Sequence, residues 1–174
     1  MLDAILSRAT APYLTPVGAR LSANLSSPML TVAAFVAGAA ALPAIGFPKY
    51  WVALGLLVLR AILDGLAGLV APAVVRPPLD RMLDLVLSAA IPFAFALAMP
   101  ERALAAMFLL LGLVVRAGSA SAAGESEELV GKTEFFLAFA LACILPDRFS
   151  IIAYVIGVLC FVGAGRRVAQ AVSS

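Results

Sequence analysis

Six long apolar runs, separated by short polar segments, constrain this chain more than any other feature. They cover residues 27–47, 51–70, 79–99, 103–123, 133–145 and 149–164. A membrane-spanning helix needs about 20 consecutive apolar residues. Of the 174 residues, 64% are hydrophobic and 13% are charged, whereas soluble domains carry about 25% charged residues. The sequence predicts a single all-α domain over residues 1–174, with an integral membrane bundle of six transmembrane helices in 27–170.

Residues 1–26 precede the first apolar run and show a different pattern. Thr15-Pro16 is a typical helix start, with a capping residue followed by proline in the first turn. Val17, Leu21 and Leu25 follow at intervals of four residues and so share one helix face. This pattern favours an N-terminal amphipathic helix that lies in the membrane interface. A loosely ordered tail is the alternative.

The basic residues are distributed unequally between the two sides of the predicted bundle. Six spans place both termini on one side, where the basic residues are Arg8, Arg20, Arg76, Arg81, Lys132, Arg166 and Arg167. The opposite loops hold Lys49, Arg102 and Arg148. The positive-inside rule therefore predicts cytosolic termini, in a bacterial inner membrane. The net charge of +2 is too small to indicate a nucleic-acid partner.

Three aspartates stand in or beside predicted spans, at the cytosolic end of the bundle. Asp80 and Asp84 are four residues apart and share one helix face, and Asp64 precedes them near the end of the second run. A carboxylate at the bilayer centre costs about 2.5–3.5 kcal/mol, so these groups need a cation or water. Carboxylate oxygens suit Mg²⁺ or Mn²⁺, ions that can bridge a pyrophosphate and neutralise a leaving nucleotide.

Ion pairs within the chain are the alternative interpretation of the same aspartates. Asp64 lies four residues after Arg60 and could pair with it along the helix. Asp80 and Asp84 could likewise pair with Arg76 and Arg81 at the interface. Histidine ligands are excluded because the sequence contains no histidine. The two cysteines, Cys143 and Cys160, lie inside apolar runs without a Cys-x-x-Cys spacing and are interpreted as small buried hydrophobes.

The aspartate pattern resembles the signature of the CDP-alcohol phosphotransferase family. That signature runs Asp, two residues, Asp-Gly, two residues, Ala-Arg, about eight residues, Gly, three residues, Asp, three residues, Asp. Asp64-Gly65 is similar to the second aspartate and its glycine, and Asp80 and Asp84 are similar to the last pair. Ala61 stands where the family has its first aspartate, and Gly68-Leu69 stands where it has Ala-Arg.

The resemblance implies a function and a role for each matched residue. Asp64, Asp80 and Asp84 would hold Mg²⁺ or Mn²⁺ on the diphosphate of a CDP-linked lipid or other CDP-alcohol. Asp84 would also take the proton of a small alcohol acceptor as catalytic base, and CMP would leave. Gly65 would let the backbone approach the nucleotide closely. The expected activity is transfer of a substituted phosphate group from a CDP-alcohol such as CDP-diacylglycerol, in phospholipid biosynthesis.

Three basic residues are further candidates for substrate binding. Arg60 precedes the vacant position Ala61, and its guanidinium could replace part of a lost cation's charge and hold a phosphate. By resemblance, Arg116 and Lys132 would hold the phosphate of the acceptor or of the lipid. Lys132 could instead be an interfacial anchor, and Arg116 could pair with an aspartate or with Glu134.

Two other classes of protein remain open at this point. One is a non-catalytic family member that binds nucleotide or lipid without turnover, which the alanine at position 61 favours. The other is a small transporter whose acidic residues carry ions. Small residues in the first, second and sixth runs suit close helix packing in lipid, and the later helices are compatible with a homodimer.

Overall fold

The structure, a computed structural model, describes the backbone of residues 27–70, 78–123 and 131–173. Side chains are described within 28–68, 82–119 and 133–170. The helices are α1 Ser27–Gly46, α2 Tyr50–Val70, α3 Pro78–Ala98, α4 Ala103–Ala123, α5 Lys132–Ile144 and α6 Phe149–Ser173. Short 3₁₀ turns at Pro100–Arg102 and Pro146–Arg148 precede α4 and α6. The predicted interfacial helix in 1–26 lies outside the described residues.

The six apolar runs correspond to these six helices, so the all-helical prediction is confirmed. Four stretches are long and apolar enough to cross a membrane: Pro28–Gly46, Tyr50–Gly68, Pro100–Ser119 and Pro146–Gln170. The other two apolar stretches, Met82–Ala98 and Thr133–Ile144, are shorter. Charged residues occupy the first turns of α3, and α5 has only 13 residues, so a crossing by these two helices stays a prediction.

The helices pack as a ring. α1 lies against α2 and α3, α3 against α4, α4 against α6, and α2 against α5, which also contacts α6. Short connections follow α1, α3 and α5, so consecutive helices joined by them run in opposite directions. Arg60 near the end of α2 contacts Asp84 near the start of α3, and Arg102 before α4 contacts Pro146 before α6. The starts of α1, α3 and α5 and the ends of α2, α4 and α6 therefore lie at one end of the bundle, named here the site end.

At the opposite end, named here the loop end, Arg102 connects two of the short segments between helices. Arg102 donates hydrogen bonds to the backbone carbonyl of Pro146 and, over 3.4 Å, to the carboxylate of Asp147. These contacts join the α3–α4 connection to the α5–α6 connection. Tyr50 and Phe149 both stack with Phe95, with ring centroids 6.1 and 4.4 Å from that of Phe95. The loop end is therefore packed and apolar inside.

Glycines allow a close contact between α4 and α6. A Cβ on Gly112 would lie 3.1 Å from the backbone oxygen of Gly157, and a Cβ on Gly157 would lie 2.7 Å from the ring of Phe108. Larger residues would force these helices apart, which is the usual role of glycine in packed membrane helices. Among the described residues, the buried polar side chains are Ser119 and Arg167, and both lie toward the site end.

Candidate functional site

Helices α2 and α3 each bring one aspartate to the site end of the bundle. Asp64 lies near the end of α2, and Asp84 lies in the second turn of α3. α1 packs against both helices and contributes Thr31 and Phe35 to the cleft that the two aspartates line. The side chains of Asp64 and Asp84 are 34% and 24% exposed, so both carboxylates are partly shielded and still reach solvent.

Arg60 bridges the two carboxylates. Its Nη2 donates a hydrogen bond of 2.5 Å to Oδ1 of Asp84, and its Nε lies 3.9 Å from Oδ2 of Asp64. The Arg60 side chain is only 14% exposed, so this cation is more shielded than either acid. The predicted pairing of Asp64 with Arg60 is therefore present, and Arg60 also binds an aspartate from the next helix.

The three charged residues line one open cleft between α1, α2 and α3. Its other walls are Thr31 and Phe35 from α1 and Leu83 and Leu87 from α3. The cleft encloses about 220 Å³ of empty space, open solvent included. Two carboxylates and one guanidinium line this open cleft, so it presents charged groups of both signs to a ligand.

Gly38 of α1 leaves the space that the Arg60 side chain occupies. A Cβ on Gly38 would lie 2.9 Å from Cδ of Arg60 and 2.1 Å from Cδ2 of Leu87. The aliphatic part of Arg60 therefore passes directly over the α1 backbone, and only glycine leaves room for it. Gly65 differs, because a Cβ added there meets nothing within 4 Å among the described residues. Packing against the described residues thus does not account for Gly65, which stays a predicted nucleotide contact.

The other predicted site residues lie partly elsewhere. Arg116 lies on α4, with its Cζ 4.8 Å from the ring centroid of Phe135, a cation–π contact. Arg116 is not among the described residues that line the cleft. Glu134 caps its own helix by accepting a 2.9 Å hydrogen bond from the backbone N–H of Gly131. The Lys132 side chain lies outside the described ones, although its backbone begins α5.

The described carboxylates are too few to define a metal site by number alone. Among the described side chains, no three His, Cys, Asp or Glu residues lie close enough to hold a metal ion. The third predicted ligand, Asp80, lies in α3 one turn before Asp84, and its side chain is outside the described ones. The chemistry of the donors nevertheless fits Mg²⁺ or Mn²⁺, because two carboxylates from different helices line one cleft.

Sequence reasoning missed the wall that α1 contributes. Thr31 and Phe35 line the cleft, and Gly38 seats Arg60. Thr31 and Phe35 stand in an apolar run without a motif, so no signal in the sequence identified them. Gly38 is one of the small residues expected to pack against another helix, and it does so. Its contact with Arg60 could not be predicted without knowing which helices are neighbours.

Comparison with known proteins supports the fold and shows a family to which the chain belongs. No family model matches the chain. Inner membrane protein YnjF of Escherichia coli (strain K12) is 32% identical, over 80% of this chain and 79% of its own. A crystal structure of Mycobacterium tuberculosis phosphatidylinositol phosphate synthase with CDP-DAG bound is similar, with a TM-score of 0.68 and 14% identity over 91% of this chain and 92% of that one.

The chain belongs to the family of YnjF and has the CDP-alcohol phosphotransferase fold. This fold supports the family resemblance predicted from Asp64-Gly65 and from Asp80 and Asp84. The apolar helices and the inner membrane relative agree with an integral membrane protein. Ala61 is where the chain departs from the family signature. The residue before it, Arg60, binds both aspartates of the cleft.

Proposed function

We propose that this protein transfers a substituted phosphate group from a CDP-alcohol, specifically CDP-diacylglycerol, to a small alcohol acceptor with release of CMP. The observation that carries the proposal is the convergence of Asp64 and Asp84 from two helices on one open cleft. The shared fold supports it, because the similar synthase was crystallised with CDP-DAG bound. The bundle would have six spans with cytosolic termini, so that a soluble nucleotide product could leave from the site end.

The roles of the residues follow from their positions. Asp64, Asp80 and Asp84 would hold Mg²⁺ or Mn²⁺, and the bound ion supplies charge neutralisation for the departing nucleotide. The acceptor oxygen forms a bond to the phosphorus that bears the lipid, and the bond from that phosphorus to the CMP oxygen breaks. Asp84 takes the proton of the acceptor hydroxyl. Gly65 leaves space for the nucleotide beside α2, and Arg116 and Lys132 contact the phosphate of the lipid or acceptor.

The test is CMP release from purified protein in liposomes that contain CDP-diacylglycerol, Mg²⁺ or Mn²⁺, and a panel of alcohol acceptors. We expect CMP with at least one acceptor, and none after chelation of the divalent ion. Asp84→Asn should lower the rate at least about a hundredfold, the usual contribution of a general base. The control is Asp147→Asn at the loop end, where the side chain is 94% exposed; it should leave the rate unchanged.

A second function has a specific observation in its favour. Arg60 already occupies Asp84, and Ala61 removes one carboxylate from the signature. A site of this kind could bind a CDP-linked lipid without turning it over. CDP binding without CMP release for any acceptor would establish this non-catalytic function and contradict the proposed transfer.

A further inference from the structure

The arginine in the cleft is held in place by packing as well as by charge. The guanidinium of Arg60 contacts Asp84 and Asp64. Its aliphatic part lies close to Gly38, as does the buried side chain of Leu87. A surface arginine would lose much side-chain entropy on adopting one geometry. Contacts from three helices fix Arg60 in advance, so this guanidinium is a resident cation of the cleft.

The charges in the cleft show what this resident cation changes. Asp64 and Asp84 together carry −2, and Arg60 brings this described trio to −1. A bound divalent ion would raise the trio to +1, whereas the two carboxylates with the same ion and no arginine would be neutral. Arg60 therefore repels an incoming metal ion and attracts an incoming phosphate. These two effects have opposite signs, which makes them separable by experiment.

The hydrogen-bonding capacity of Arg60 points to the same ligand. A guanidinium has five N–H donors in a planar fork that matches phosphate oxygens. The hydrogen bond to Asp84 uses one of them, and the Nε contact to Asp64 is 3.9 Å long, beyond hydrogen-bond distance. Arg60 lines the cleft together with both aspartates, so a phosphate that enters beside a metal ion would meet these donors.

We propose that Arg60 binds the diphosphate directly and supplies one of the positive charges that metal ions would otherwise supply, so that the site works with a weakly held divalent ion. This inference rests on the proposed function, since it names a residue that would recognise the diphosphate of the same substrate. Ala61 agrees with it: this turn of α2 carries one base, and alanine stands where the family signature places an acid.

The experiment measures two affinities in the full chain reconstituted in nanodiscs. Mn²⁺ alone is titrated first, followed by electron paramagnetic resonance, and CDP is then titrated at saturating Mn²⁺ by calorimetry. Arg60→Gln should bind Mn²⁺ at least about tenfold more tightly, because a like charge has been removed. The same variant should bind CDP about tenfold more weakly, because a charge-assisted hydrogen bond has been lost.

The control is Arg102→Gln, the same substitution in a partly buried, ion-paired arginine at the loop end. It should change neither affinity. A fall of both affinities in Arg60→Gln would mean that Arg60 only supports the structure and would overturn the proposal. An unchanged CDP affinity would overturn it as well, whatever happens to Mn²⁺.

A second variant keeps the test decisive if Arg60→Gln does not fold. Arg60→Lys retains the charge and loses the planar fork. Its Mn²⁺ affinity should stay within about threefold of the wild type, and CDP should bind several times more weakly. Unchanged CDP binding in this variant would contradict a direct phosphate contact. Failure of the wild type to bind CDP at all would instead refute the proposed function, and is seen before any variant is made.

Discussion

Replacement of Gly38 by alanine tests the close approach of three helices at the site. The new methyl group would lie 2.1 Å from Cδ2 of Leu87 and 2.9 Å from Cδ of Arg60. Leu87 is only 2% exposed, so its side chain has to repack within the core to make room. A shift of the Arg60 side chain would disturb its hydrogen bond to Asp84. Overpacking of this kind usually costs about 1–3 kcal/mol, and we expect Gly38→Ala to lower the free energy of unfolding by that amount.

The measurement is reversible unfolding in mixed micelles, titrated with a denaturing detergent and followed by circular dichroism. Gly55→Ala is the matched control, because Gly55 lies within α2 and a Cβ there meets none of the described residues within 4 Å. It should leave the free energy of unfolding unchanged or raise it by up to about 1 kcal/mol, because alanine forms helix more readily than glycine. Gly38→Ala should also change Mn²⁺ affinity, since the displaced guanidinium no longer screens Asp84. Equal stability of the two variants would refute the described contact of α1 with Arg60 and Leu87.

Two further predictions concern contacts away from the cleft. Gly157→Ala should destabilise the protein by about 1–3 kcal/mol, because the new methyl would lie 2.7 Å from the ring of Phe108. Gly165→Ala, where no described residue lies within 4 Å of the new methyl, should not destabilise the protein in the same unfolding titration. Glu134→Ala should cost about 1 kcal/mol through loss of the cap on the Gly131 N–H, and an unchanged free energy of unfolding would contradict that role.

The apolar pattern of the sequence was enough to predict most helix limits. The run 27–47 became Ser27–Gly46, and 103–123 became Ala103–Ala123, because long apolar stretches have few ways to satisfy their backbone other than a helix. The sixth helix is the exception. It was predicted to end near residue 164 and continues to Ser173. In the sequence, Gly165 followed by Arg166 and Arg167 resembled a helix end. In the structure, Arg167 is 6% exposed and packs as part of the bundle.

The resemblance predicted that Asp64 and Asp84 share one site, whereas the contacts of Arg60 were predictable only along its own helix. The spacing of Arg60 and Asp64 predicted their contact, since residues four apart on a helix are neighbours. The hydrogen bond from Arg60 to Asp84 joins residues 24 apart and depends on how α2 and α3 pack against α1. No local pattern encodes that arrangement. The same is true of Arg102 and Pro146 at the loop end, which are 44 residues apart.

The most direct test of the central claim is a double-mutant cycle between Asp64 and Asp84, with CDP affinity measured at a fixed Mn²⁺ concentration. If both carboxylates serve one cation and one diphosphate, Asp64→Asn and Asp84→Asn should each weaken binding. The double variant should then lose less than the sum, by about 0.5–3 kcal/mol, as for groups that act on a shared partner. Strictly additive losses, or no loss from either single variant, would contradict a shared site between α2 and α3.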